Sequence, residues 1–194
     1  MLSWKWGPAL AAGNTLVMKT SEKTPLSALY VASLAVEAGF PPGVINVLSG
    51  YGATAGAALA NHKDIKKLAF TGSTAVGRSI LIASANSNLK KVSLELGGKS
   101  PNIVFPDSDV EDAVKWISNG IFFNHGQSCC AGSRVFVHED IFDDVLEKFK
   151  LQASSIKIGD PFDADVEHGP LVDEIQFKKV LSFISKGKDE GAKV

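Results

Sequence analysis

The sequence predicts an α/β protein in which parallel strands alternate with helices and right-handed crossovers wind the sheet. Short apolar runs, each followed by a segment of helical length, give the alternation. Gly and Pro punctuate the joins. A third observation divides the chain: Gly97-Gly98-Lys99-Ser100-Pro101 interrupts the pattern. We therefore expect one domain over residues 1–97 and a second over 98–194, whose βα pattern stops in mid-unit at Glu190-Gly191-Ala192-Lys193-Val194.

Thr15–Lys19 reads as the first buried strand after Gly13-Asn14. Thr24 as cap and Pro25 in the first turn open a helix that stops at Gly39, with Pro41-Pro42 beyond. Val44–Leu48 is the second strand, and a small-residue helix covers Thr54 to about Asn61. Ile65–Phe70 is the third strand. Thr71-Gly72-Ser73-Thr74 starts a helix bearing Val76, Ile80, Leu81 and Ala83, and Lys91–Leu96 is the fourth strand. Beyond the junction, Asn102–Phe105 is a strand. The helix after it is capped near Asp107 or Ser108 and carries the stripe Val110, Ala113, Val114, Ile117, Ile121. Arg134–His138 is the next strand, followed by a helix from about Asp140, a loop over Asp160–Gly169, and a last helix with Val180, Leu181 and Ile184.

The chain of 194 residues is long enough to bury a core. Its 45% hydrophobic and 21% charged residues are ordinary for a soluble protein, and a net charge of -1 gives no electrostatic case for nucleic acid or an anionic membrane. No apolar run has the length of a membrane helix or signal peptide, so we expect an intracellular protein. The two cysteines are adjacent, which makes no disulfide framework, and no Cys/His spacing suits a metal.

Those cysteines lie in Phe122-Phe123-Asn124-His125-Gly126-Gln127-Ser128-Cys129-Cys130-Ala131-Gly132-Ser133. Two readings compete: a buried pair of small hydrophobes, or a nucleophilic thiolate activated at a helix start. His125 allows a Cys/His dyad as a minor alternative. Gly72-Ser73-Thr74-Ala75-Val76-Gly77-Arg78-Ser79 follows a strand and opens a helix, the context for phosphate on free N–H groups. It lacks the middle glycine of a dinucleotide fingerprint, and Arg78 replaces the lysine of an ATP phosphate loop, so a plain capped helix start competes equally. Glu95, in an apolar strand directly before Gly97-Gly98, is either at the carboxyl end of a parallel strand, where α/β active sites lie, or a paired structural acid. Partial burial would raise its carboxyl toward neutrality and suit a general base. Lys19 and Glu22 flank the end of the first strand as a ribose site or, more simply, a solvated pair.

Taken together, Leu94-Glu95-Leu96-Gly97-Gly98-Lys99-Ser100-Pro101 and the cysteine stretch resemble the two signature motifs of the NAD(P)-dependent aldehyde dehydrogenase superfamily. The resemblance extends through Trp4-Lys5-Trp6-Gly7-Pro8-Ala9-Leu10, Met18-Lys19, Glu37–Val44 and Phe70–Ser73, and is greatest to the class that oxidises acetaldehyde, longer aliphatic aldehydes or retinal. It implies a Rossmann-like parallel sheet with helices on both faces, partial here. Residues 1–97 would be the later part of the NAD-binding domain, joined to the first half of an α/β catalytic domain at 98–194.

By that resemblance Cys129 is the nucleophile, Glu95 the general base, and Cys130 a neighbouring thiol. Lys19 and Glu22 match adenosine-ribose positions, with Glu22 the NAD-preferring choice over NADP, and Ser73 matches the pyrophosphate contact. Gly72, Gly77 and Leu96 count among the cofactor-binding positions, as do Gln176 and Lys179 near a ribose. Ala53 stands where relatives often carry Pro. The family's upstream Asn-bearing segment, its downstream Glu-x-Phe-Gly-Pro motif and its oligomerisation arm, which makes relatives dimers or tetramers, lie outside this sequence. The resemblance thus implies a small aldehyde as substrate, a cytoplasmic location (or a mitochondrial one if a targeting segment precedes), and weak or absent activity of this chain alone. The alternative is a noncatalytic nucleotide-binding or subunit-interaction fragment.

Overall fold

A computed structural model describes residues 1–193, and the chain divides into two compact units, Met1–Gly97 and Gly98–Val194. The first unit runs α1 (Leu2–Ala11), β1 (Leu16–Lys19), α2 (Leu26–Glu37), β2 (Ile45–Leu48), a π-turn at Gly52–Gly56 leading into α3 (Ala57–Asn61), β3 (Lys67–Thr71), α4 (Thr74–Asn86) and β4 (Lys91–Glu95). The strands pair in parallel, β1 with β2 from Leu16↔Ile45 to Lys19↔Leu48, and β3 with β4 from Lys67↔Lys91 to Thr71↔Glu95. Parallel pairing requires the helical crossovers that the alternation predicted.

Local chemistry sets the boundaries. Helix α1 had no counterpart among the predicted elements; Pro8 is accommodated inside it, and Trp6 is buried. Helix α2 begins at Leu26 with Pro25 in the cap position and no side-chain cap, so Thr24 does not cap it; the Thr24 N–H instead closes a turn onto Ser21. It ends as the sequence requires: Gly39 takes φ +83°, and the N–H groups of Phe40 and Gly39 return to the Ala35 and Val36 carbonyls at 3.1 and 3.0 Å. Lys90 is buried, which is costly for an ammonium without partners. It has them: Lys90 Nζ donates to the Ala60 carbonyl at 2.6 Å and to Ser87 Oγ at 2.8 Å, while the Ser84 hydroxyl donates to the Lys90 carbonyl at 2.7 Å. The ends of α3 and α4 are thereby tied to the start of β4.

The second unit runs β5 (Pro101–Val104), α5 (Val110–Phe122), a 3₁₀ turn at Phe123–Gly126, β6 (Arg134–Val137), a 3₁₀ turn at Glu139–Ile141, α6 (Phe142–Ser155) and α7 (Glu174–Asp189). Strands β5 and β6 are parallel, from Pro101↔Arg134 to Val104↔Val137. The cap of α5 is Asp109, whose carboxylate accepts from the Asp112 N–H at 2.9 Å, one or two residues past the expected Asp107 or Ser108. The predicted stripe packs inward. Val104, Val114, Ile117 and Val145 form the buried cluster, flanked by Val110, Ala113, Val137, Ile141 and Phe149. Each buried aliphatic side chain there contributes about 1.5–3 kcal/mol. The Phe122 and Phe149 rings stack with centroids 5.5 Å apart, fixing the end of α5 against α6.

Candidate functional site

In the first unit, β3 and β4 end in register, and the Gly72 N–H donates to the Glu95 carbonyl at 3.0 Å. Glu95 thus stands at the carboxyl end of a parallel pair, the side where α/β ligand sites lie. Its residue is exposed, so the condition of partial burial under which its carboxyl would be raised is not met. Ser73 caps α4 by accepting from the Val76 N–H at 3.3 Å, and the other first-turn amides have no partner within the helix, the arrangement that favours negative charge at a helix start. Gly77, one turn further on, is buried, and a Cβ there would come within 2.9 Å of Leu96 Cδ2. Gly72, Ser73, Gly77, Glu95 and Leu96 are therefore one neighbourhood. Thr71 Oγ1, beside the cap, accepts from the Lys5 ammonium of α1.

Lys19 and Glu22 are more than a solvated pair. Lys19 Nζ donates to the Thr20 carbonyl at 2.7 Å, to the Gly50 carbonyl at 2.9 Å and to Glu22 at 3.3 Å. Its stem lies 3.6 Å from where a Gly56 Cβ would sit. Hydrogen bonding from its own backbone N–H, then the Lys19 ammonium, holds the Glu22 carboxyl below its ordinary value.

In the second unit, the chain leaves α5 through three consecutive left-handed residues, Asn124 (φ 52°), His125 (φ 59°) and Gly126 (φ 69°). Such a conformation costs about 1–3 kcal/mol for each non-glycine residue and persists only where neighbours enforce it. Here the Gln127 N–H bonds the Asn124 carbonyl at 3.0 Å, Asn124 Nδ2 bonds the Gln127 carbonyl at 3.3 Å, and the Gly132 N–H reaches back to Gly120 at 3.0 Å. The turn brings Cys129 and Cys130 out as free, exposed thiols. That excludes the buried pair. It also corrects the helix-start expectation: Cys129 follows the end of α5 and precedes β6, so no helix begins at the thiol. His125 packs its ring on His168, with centroids 4.6 Å apart. A Cβ on Gly98 would fall 2.9 Å from the Cys129 carbonyl oxygen. Gln176 and Lys179 lie three residues apart on α7, hence on one face; the Gln176 N–H is taken by the cap Asp173 at 2.8 Å, and Lys179 is exposed.

A sequence profile of the aldehyde dehydrogenase family matches residues 1–194. The chain belongs to the aldehyde dehydrogenase family. It is 61% identical over all its residues to an aldehyde dehydrogenase of Davidiella tassiana and covers 39% of that relative. To the mitochondrial aldehyde dehydrogenase of Homo sapiens it is 59% identical, covering 38%. The chain thus spans about two-fifths of the length of the curated aldehyde dehydrogenases it matches. The solved NAD+ complex of the Bacillus cereus aldehyde dehydrogenase superposes on the whole chain with TM-score 0.97 at 52% identity. An indole-3-acetaldehyde dehydrogenase bound to NAD+ does so with TM-score 0.96 at 47% identity. Each covers the full chain with 39% of its own length.

Three residues beside the candidate side chains escaped the sequence reading. Lys5 was hidden because α1 was not foreseen. Gly98 acts through an absent side chain. His168 sits in a stretch read only as loop, where a His next to Gly169-Pro170 was the one visible signal. Among the described residues, no group of three or more His, Cys, Asp or Glu is gathered to hold a metal, and no helix is long and apolar enough to cross a membrane.

Proposed function

We propose that this chain carries the reacting side chains of an NAD-dependent aldehyde dehydrogenase, which oxidises a small aliphatic aldehyde to its carboxylic acid. Residues 1–97 belong to the NAD-binding domain and 98–194 to the catalytic domain. The observation that carries the reading is the bond from the Gly72 N–H to the Glu95 carbonyl, which sets a carboxylate beside an anion-accepting helix start. The residues fit the dinucleotide. Its pyrophosphate suits the Ser73-capped turn, where Gly72 and the close Gly77–Leu96 packing keep the backbone accessible. Lys19 and Glu22 suit the adenosine ribose, and the Glu22 carboxylate repels a 2′-phosphate, favouring NAD over NADP. Gln176 and Lys179 suit a position near a cofactor ribose. NAD+ complexes of related structures support the choice of cofactor.

NAD, when bound, accepts the hydride. The Cys129 thiolate adds to the aldehyde carbon and forms a C–S bond while the carbonyl oxygen becomes an oxyanion. The Cys129 N–H is suited to stabilise that charge, and one such donor is worth about 10²–10³ in rate. Departure of hydride leaves a thioester on Cys129. Glu95 then takes a proton from water, whose oxygen attacks the thioester carbon and releases the acid and the Cys129 thiolate.

The test is the purified chain with an aliphatic aldehyde and NAD, read by absorbance of the reduced nicotinamide, beside calorimetric titration with NAD. NAD binding with slow turnover that Cys129→Ser abolishes is expected. NAD binding without turnover would favour the noncatalytic nucleotide-binding alternative. Turnover surviving in Cys129→Ser, or absence of both binding and turnover, would overturn the reading.

A further inference from the structure

The carbonyl of Phe122, the last residue of α5 and the cap of the 3₁₀ turn that follows, lies at the helix end, where the α-helical bonding pattern runs out. It accepts from His168 Nε2 at 2.9 Å, across 46 residues of sequence. A carbonyl can only accept, so that nitrogen carries the proton. The same imidazole packs on His125, in the middle of the left-handed run. One side chain therefore grips the turn at its helical end and at its strained centre, and the turn leads directly to Cys129. His168 is itself fixed: its backbone N–H bonds the Lys157 carbonyl at 3.2 Å, its carbonyl accepts from Gly159 at 3.1 Å, and it forms a bridge with Ile158. A Cβ on Gly98 would crowd the Cys129 carbonyl, so that the backbone of the two residues runs close together.

We propose that His168 is a positioning residue for the Cys129 turn, holding it by the Nε2–H bond to the Phe122 carbonyl and by ring contact with His125. It touches no reacting atom. Its relevance to catalysis rests on the reading of Cys129 as nucleophile, but the clamp is measurable without turnover. In the full chain, residue-resolved amide exchange of Gln127, Ala131 and Gly132, whose N–H groups bond within the turn or back to α5, reports its order.

His168→Ala is expected to accelerate exchange at these three amides at least tenfold while β5 and α6 keep their protection. His168→Gln, whose amide N–H can reach the same carbonyl, is expected to restore most of the protection. Unchanged exchange in His168→Ala, or equal acceleration in both variants, overturns the clamp. If His168→Ala does not fold, the imidazole nitrogen spectrum of the unaltered chain decides: a proton held on Nε2 of His168 is expected, and an Nδ1–H tautomer overturns it. Failure of Cys129→Ser to abolish turnover would count against the nucleophile alone.

Discussion

Glu22 shows how a single contact becomes a pH dependence. Its carboxyl is held below the ordinary 4.5 by its own backbone N–H first and by Lys19 second. A depressed folded value means that the charged form stabilises the fold. That contribution is complete above the unfolded value and is lost as pH falls through the folded one. Glu22→Gln is therefore expected to lower the melting temperature slightly at neutral pH, where the contribution is complete, and to flatten its fall with acid below about pH 4.5, where the variant and the unaltered chain converge. Thermal melts at a series of pH values check this, and an unaltered acid limb would count against the pairing. Lys19 and Glu22 were legible as residues but not as a pair with three acceptors, because Gly50 is brought to Lys19 only by the pairing of β1 with β2.

At the scale of the element, periodicity did its work where one face is buried. The stripe on α5 was readable because Val114 and Ile117 face a core while Glu111, Asp112 and Lys115 face water. Strand positions were readable for a like reason, to within a residue or two. Caps were less so, since Asp107, Ser108 and Asp109 are three eligible residues in a row and only the carboxylate of Asp109 meets an amide. The turn before Cys129 was the least legible, because three left-handed residues with Asn and His among them are set by neighbours such as His168.

Removing the Asp109 cap by Asp109→Ala is expected to cost about 1 kcal/mol, and Val145→Ala, which empties part of the shared core, about 2 kcal/mol. Denaturant titrations of the two variants check both values. The larger effect should be at Val145, which is 3% exposed. A reversed order would mean that the α5–α6 core is not what holds the second unit.

On the scale of the whole molecule, the family was readable from two long motifs, whereas the surfaces were not. Many large apolar side chains lie open among the described residues: Ile175, Phe177 and Phe183 on α7 are 77%, 51% and 64% exposed, and Phe162 is 97% exposed. The residues by which the last helix was read, Val180, Leu181 and Ile184, are themselves 37%, 48% and 45% exposed. Open apolar area of this kind binds environment-sensitive dyes and promotes association. The chain is expected to enhance anilinonaphthalene sulfonate fluorescence in its native state and to sediment with a mass that rises with concentration. A dye-silent monomer at every concentration would contradict it.

The strand pairing also has a consequence for how the chain is made. Among the described residues, each of the three hydrogen-bonded strand pairs joins strands that are consecutive in sequence, β1 with β2, β3 with β4, and β5 with β6. During synthesis, no strand has to wait for a partner more than one crossover downstream, and the Lys90 tie can close once β4 begins. Domains and their parts fold in the order in which they emerge when their contacts are local in this way. The ribosome therefore delivers this molecule as a succession of closable loops, and the turn that presents Cys129 is the late one: its clamp at His168 emerges only after β6 and α6 have been made.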